Sequence, residues 1–303
     1  MNKNATTQLP AKKLLIVDGH AYAYRAFYAI RQLSSPTGKA TNAIYGFIRM
    51  LGKMLATVKP SHLIIVWDGG LAEERMALWP DYKKQRAEMP ASLGEQLDEI
   101  VAYLKAASIT SFCQTGVEAD DWIATLTRQA NAADVQVVIA SSDKDFMQLV
   151  DENVGLFNPG DKTEKIWSPA DVKSKMGVQP NQIVDYLSLI GDAVDNIPGV
   201  PGIGPKTAAE LLAQFGTVEG IFHRFAAVKS ERLRQSLQNS MEIVRRNKRL
   251  IRLRDDLPCD FSLPILAVKA GNFEDLRKLF AGWGFKTLLQ ELEKSAPQSG
   301  QLF

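Results

Sequence analysis

"LLIVDG" (residues 14–19) and "IIVWDG" (residues 64–69) decide the fold. Each is a short, unbroken apolar run that ends in aspartate and glycine. Runs of that length closed by a turn signal read as strands buried on both faces, the pattern of a parallel sheet. "VQVVIAS" (135–141) is a third such run and "ITSF" (109–112) a fourth. Between them apolar residues recur at helical spacing, over 40–57 and 93–107. Strands alternating with helices predict an α/β fold with a mostly parallel sheet and helices on its faces.

The texture changes near residue 180. Strand-like runs give way to Gly, Pro and short helical patterns, with a basic stretch over 224–254. The spacing therefore predicts an N-terminal tail over 1–11, an α/β domain over 12–180, a helical domain over 181–290 and a C-terminal tail over 291–303. A chain of 303 residues is long enough for two such domains. Its net charge of only +2 names no acidic partner by itself. Cys113 and Cys259 lack metal spacing and read as buried thiols of a reducing compartment. His20, His62 and His223 are too scattered for a zinc site. No apolar run approaches the roughly 20 residues of a membrane span, and the N-terminus has no apolar signal core, so a cytosolic protein is expected.

The acids carry the chemistry. Asp18 and Asp68 close the first two strand runs, and Asp143 and Asp145 follow the third in "VIASSDKD". Ligands of open parallel sheets bind beyond the carboxyl ends of the strands. "GVEADDW" (116–122) sets Glu118, Asp120 and Asp121 at a helix start, where the dipole favours negative charge. There Glu118 and Asp121 share one face and Asp120 points elsewhere. "IGDAVDN" (190–196) adds Asp192 and Asp195, three apart and expected on one face of a helical turn. Each acid alone could be a cap or a turn former. Nine of them converging without basic partners would raise one another's pKa or disrupt the fold, and divalent cations remove that cost. A carboxylate-only site suits Mg²⁺ or Mn²⁺. Two such ions about 3.5–4 Å apart are the usual machinery of phosphodiester hydrolysis.

Three stretches could recruit nucleic acid to such a cage. "HAYAYRAFYAI" (20–30) offers Tyr22 for base stacking and Arg25. "ERMALWPDYKKQRAEMP" (74–90) crowds Lys83, Lys84 and Arg86 beside Tyr82, placed to stabilise negative charge on a reacting phosphate. "PGVPGIGPKTAAELL" (198–212) puts Gly202 and Gly204 in a tight turn and lets Lys206 and Thr207 open a helix whose free amides can bind phosphate. It is not a P-loop, because Pro205 stands where that motif needs lysine. A hairpin on the duplex backbone fits better, and the basic residues from Arg224 to Arg254 suit non-specific backbone binding.

Five segments, "LLIVDGHAYAYRAFYA", "WPDYKKQRAEMP", "GVEADDWIATL", "SSDKDFMQLV" and "LIGDAVDNIPGVPGIGPKTAAELL", together resemble the 5′-nuclease domain of bacterial DNA polymerase I and its flap endonuclease relatives. The resemblance spans roughly residues 12–290 in the family's order. It implies a PIN-like α/β catalytic domain and a helical domain with a helix–hairpin–helix turn. It also implies metal-dependent 5′→3′ exonuclease and structure-specific flap endonuclease activity on DNA during replication and repair. By motif match, the metal roles fall on Asp18, Asp68, Glu118, Asp120, Asp121, Asp143, Asp145, Asp192 and Asp195. Tyr82, Lys83 and Arg86 match a basic segment near 73–90 that forms a helical arch over the 5′ end, with Lys83 as catalytic lysine. The resemblance implies K⁺ at the hairpin, through the backbone carbonyls of Val200 and Ile203. Trp67 stands where Phe is usual, and "GGLAEERM" replaces the common linker, with Arg75 still in the arginine position.

No polymerase region follows, and the starting Met and distinctive end lead us to expect a free-standing, monomeric nuclease associated with a bacterial nucleoid. "QSGQLF" (298–303) is similar to sliding-clamp-binding peptides. Two rival functions are a PIN-type ribonuclease and a non-catalytic binder of DNA junctions. The hairpin domain argues against the first and the complete acid set against the second.

Overall fold

The computed structural model describes residues 12–158, 163, 165–260 and 262–295. In chain order the elements begin β1 (Lys13–Asp18), α1 (Gly19–Ala29), α2 (Asn42–Val58), β2 (His62–Trp67), α3 (Glu73–Leu78), α4 (Ala91–Ala106) and β3 (Thr110–Cys113). They continue with α5 (Ala119–Ala132), β4 (Gln136–Ala140), β5 (Val154–Phe157), β6 (Ile166–Trp167), α6 (Pro169–Met176) and α7 (Ile183–Ile190). The remainder is β7 (Gly191–Asp192), β8 (Ile197–Pro198), α8 (Pro205–Phe215), α9 (Val218–His223), α10 (Glu231–Asn239), α11 (Met241–Ile251), α12 (Phe273–Trp283) and α13 (Lys286–Ser295). The strands pair in a mostly parallel manner with flanking helices, and a helical region follows, as the patterning predicts. Both expected tails, residues 1–11 and most of 291–303 including QSGQLF, lie outside the described residues. No helix among the described residues is long and apolar enough to cross a membrane.

The chain folds into two compact units that do not follow chain order: residues 12–67, 89–112 and 262–295 form one, and 68–88 with 113–260 the other. In the first, the strand order is β3-β2-β1, with β1 and β2 parallel from Leu14 opposite His62 to Asp18 opposite Val66. Leu14, Leu15, Ile16 and Val17 are all fully buried, which is why the run reads as unbroken apolar sequence. Helix α2 has no cap from its own N-cap residue Thr41. Gln96 of α4 supplies the missing acceptor instead: its Oε1 accepts from the amides of Ala43 and Ile44, and its Nε2 donates to Asn42.

In the second unit the order is β4-β5-β6, β4 with β5 parallel and β5 with β6 antiparallel. Strands β5 and β6 were not foreseen, since four- and two-residue strands are too short for a periodicity. Glu118 is the N-cap of α5, as the dipole argument predicts. The 190–196 stretch departs from expectation. Asp192 ends the two-residue strand β7 and accepts from the Val194 amide, so Asp192 and Asp195 sit in a tight turn, not on a helix. That turn depends on Gly191 (φ +78), where a Cβ would stand 2.4 Å from the Gly199 nitrogen. The segment expected as an arch near 73–90 contains one short helix, α3, followed by turns. Pro80 and Pro90 both interrupt it.

Candidate active site

All but three of the sequence-predicted site residues named below belong to the second unit; Asp18 and the α1 residues Tyr22 and Arg25 belong to the first. Asp18 ends β1 and accepts from the Ala21 amide, capping α1. Tyr22 is 1% exposed, and burial pushes its hydroxyl pKa up. A base cannot stack on a ring enclosed this way, so the expected stacking role of Tyr22 is corrected to core packing. Tyr82, matched to the segment over the 5′ end, is likewise enclosed, being 3% exposed. Arg25 is exposed on α1, and Lys84 projects into solvent beside Asp81.

The acids of the second unit divide into two sets. Glu118 and Asp121 are each 1% exposed, yet they are neutralised by Arg75 and Lys83. Arg75, itself buried on α3, donates from Nη1 to Glu118 and to Asp121 Oδ2 (2.9 Å), and from Nη2 to Asp121 Oδ1 (2.7 Å). Its Nε donates to the Leu250 carbonyl, and Nη2 also reaches that of Arg252. Asp121 Oδ1 accepts a further bond from the Arg254 amide. The bidentate fork is what a guanidinium offers and an ammonium does not. Lys83 Nζ lies 2.5 Å from Glu118 Oε1, 3.8 Å from Asp120 and 3.9 Å from Asp195. Burial opposes the Lys83 charge, but Asp120, Tyr82, Glu118 and Asp195 outweigh it and raise its pKa, so the group is a fixed cation. The expectation that the acids lack basic partners is therefore corrected for this set.

The second set is Asp143, Asp145, Asp192 and Asp195. Ligating oxygens of Asp145, Asp192 and Asp195 lie within 4.8 Å of one another, the one such group among the described residues. Arg86 pairs with Asp195 at 2.8 Å and Lys144 with Asp192 at 3.0 Å. Asp145 Oδ1 is buried and accepts no hydrogen bond. Burial, then the charges of Asp143, Asp192, Asp195 and Asp120, push the Asp145 carboxyl well above the usual carboxylate range. Burial also raises Asp143, whose Oδ1 accepts from the Asp145 amide. Asp68 sits after β2, its Oδ1 accepting from the Gly70 amide.

The hairpin keeps its predicted outline. Gly202 has φ +80, Gly204 is the N-cap of α8, and Lys206 and Thr207 lie in its first turn, with Lys206 exposed. The Val200 carbonyl accepts from the Ile203 amide. Part of the basic stretch is engaged by the fold: Arg246 stacks on Trp79 at 3.9 Å, Arg224 donates to the Phe215 carbonyl, and Lys248 pairs with Asp185 and Glu219. Neither cysteine is buried as expected: Cys113, the last residue of β3, is exposed, and Cys259 is of intermediate burial. Sequence reasoning assigned no role to Lys144 or Asn196 and left that of Arg75 open. Only tertiary partners reveal their roles, although the Asx-rich turn holding Asn196 was visible.

Known proteins share this fold. The family model described as "5′-3′ exonuclease, N-terminal resolvase-like domain" matches residues 13–177, and "5′-3′ exonuclease, C-terminal SAM fold" matches 178–274. The 5′-3′ exonuclease of Aquifex aeolicus is 37% identical over 290 residues, 96% of this chain and 98% of its own. DNA polymerase I of Bacillus caldotenax is 37% identical over 289 residues, and the chain spans only 33% of that relative's length. Among solved structures, the bacteriophage T5 D15 flap endonuclease, in a complex with DNA and metal ions, has a TM-score of 0.65 at 23% identity, covering 93% of this chain and 97% of its own. The catalytic core of Rad2 with a DNA substrate has a TM-score of 0.66 at 17% identity, covering 95% and 93%. At those identities the structures speak for the fold. The family matches over most of the chain, and the full-length match to the Aquifex protein, make this chain a nuclease of the 5′-3′ exonuclease family.

Proposed function

We propose that the protein is a divalent-metal-dependent 5′-3′ exonuclease and 5′-flap endonuclease that hydrolyses DNA phosphodiesters in replication and repair. The observation that carries this reading is the Asp145–Asp192–Asp195 group with its orphaned, buried Asp145 oxygen. A hard, oxygen-only donor set with an acceptor that nothing else uses fits Mg²⁺ or Mn²⁺. Asp145, Asp192 and Asp195 would hold the ion, with Asp120 and Asp143 beside them. The motif match adds Asp18, Asp68, Glu118 and Asp121 to the ligands. Two ions at this centre would supply Lewis acidity toward phosphate oxygens and water.

The chain's own residues do the rest. Lys83 and Arg86 are cations fixed at the acids' edge, placed to offset negative charge that grows on a phosphate. The Gly202–Gly204 turn, with Lys206 and Thr207, offers amides and an exposed ammonium to a duplex backbone, and the Val200 and Ile203 carbonyls are the proposed K⁺ ligands. Arg25, Lys84 and exposed arginines such as Arg232 and Arg249 add salt-dependent, sequence-independent affinity. Monomeric action at the nucleoid, with the QSGQLF tail on a sliding clamp, completes the proposal.

A labelled 5′-flap DNA and a single-stranded RNA, each incubated with a Mg²⁺ titration, test it. Flap cleavage that depends on Mg²⁺ and falls at least about 10³-fold in Asp145→Asn is expected, with DNA binding retained. Equal cleavage by the variant, or preference for the RNA, would refute the assignment.

A further inference from the structure

The segment from Trp79 to Arg86 carries the site's cations but has no regular secondary structure to hold it. Its internal bonds are turn contacts, such as Tyr82 N–H to Trp79 O and Arg86 N–H to Lys83 O. Something outside must set its position, and one residue touches it three times. The Asn196 carbonyl accepts from Trp79 Nε1 at 2.9 Å, its Nδ2 donates to the Asp81 carbonyl at 2.8 Å, and its Oδ1 accepts from Gln85 Nε2 at 3.0 Å. These anchor the start, middle and end of the segment. The neighbouring Asp195 adds two more bonds, its carbonyl accepting the Lys83 amide (3.0 Å) and its Oδ1 accepting from Arg86 Nη2 (2.8 Å).

We propose that Asn196 is a positioning residue: a latch that sets the basic segment in register against the carboxylates. Its backbone supports the role. Asn196 has φ +56 and Lys83, across from it, φ +54, both in the left-handed region that non-glycine residues rarely enter. Asparagine tolerates that region better than most side chains, and its amide carries both the donor and the acceptor the segment requires. Lysine has no such advantage. Its conformation is strained and persists only where surrounding bonds over-determine it. The Asn196 and Asp195 bonds are those bonds. With them in place the Lys83 ammonium is delivered to Glu118, 2.5 Å away.

Asn196→Gly keeps the left-handed backbone accessible and deletes only the side-chain bonds to Asp81 and Gln85. Hydrogen exchange on the full chain, without metal or DNA, reads the latch directly. Amides of residues 79–88 are expected to exchange at least about tenfold faster, with β4 and α5 unchanged. The rate arm rests on the nuclease reading: on flap DNA, kcat at saturating Mg²⁺ should fall at least about tenfold. The Mg²⁺ concentration for half-maximal rate should stay within about twofold, which a merely loosened fold would not respect. Unchanged exchange overturns the latch, and faster exchange with unchanged kcat overturns the positioning role. Should Asn196→Gly fail to fold, Asn196→Asp replaces the Nδ2 donor with a charged acceptor facing the Asp81 carbonyl and is read by the same exchange measurement. A wild-type chain that cuts no flap would sink the nuclease reading and leave the exchange result standing.

Discussion

Glu118 and Asp121 on one side, and Asp145 on the other, are buried carboxylates in the same unit with opposite fates. The first two are held by the Arg75 fork, by Lys83 and by a backbone amide, so their charge is matched inside the protein. Asp145 is 8% exposed, has an oxygen that no donor reaches, and feels the charges of four further aspartates. The difference separates acids whose charge the fold already matches from one left open to a cation. Burying a charge is tolerated when partners are built in. When they are left out, the cost of repulsion stays stored until something else arrives to relieve it.

The largest test of that contrast is Arg75→Ala. It strands two buried carboxylates at once, and breaking a buried pair costs about 3–5 kcal/mol of stability. Urea unfolding should show a loss in that range, with Arg75→Lys recovering only part, since an ammonium cannot make the fork. A loss under about 1 kcal/mol would mean that the pairing is not what keeps these acids inside. Next in size is the response to metal. A ligand that binds only the folded state at 100 times its Kd stabilises by about 2.7 kcal/mol. Mg²⁺ should raise the melting temperature accordingly. Asp145→Asn should abolish that rise and, in metal-free buffer, melt no earlier than the wild type, because a repulsive charge has gone. A preserved Mg²⁺ response in this variant would put the ion elsewhere.

The smallest effect concerns a carboxylate that faces water. Lys165, at 2.6 Å, and the Ser168 amide and hydroxyl hold Asp171 down to about 2, from an ordinary 3.8. A depressed folded pKa contributes stability above pH 3.8 that is lost as pH falls toward 2. Near the surface that contribution is modest and screened by salt. An NMR titration should place its midpoint near 2, and Lys165→Ala should move it upward. No movement would assign the shift to the Ser168 cap alone.

Much of this was legible beforehand for a simple reason. A strand buried on both faces must be apolar throughout, so β1, β2 and β4 announce themselves, and Asp18, Asp68 and Asp143 stand out where each apolar run stops. The helix start at Glu118 was legible too, since helix-start signals act within one turn. Aromatic residues misled. Tyr22 looks like a stacking platform in a list of residues, but one helix face decides whether a ring meets solvent or core, and it meets core, as does Tyr82 from its turn. Asp192 and Asp195 were placed near each other correctly but on the wrong support, because spacing of three suits a turn as well as a helix.

By itself the sequence determined the alternation of strands and helices, the positions of nine acids, and the family to which those motifs belong. These depend on neighbours along the chain, where period and turn chemistry act. Only the tertiary structure decided which acids are paired and which are left in want of a cation. Arg75 lies more than forty residues from Glu118 and Asp121, and Asn196 more than a hundred from the segment it latches. No pattern along the chain encodes such pairs. They exist because folding carries the α3 segment and the 192–197 turn to the same carboxylates, and electrostatics then sorts partner from ligand.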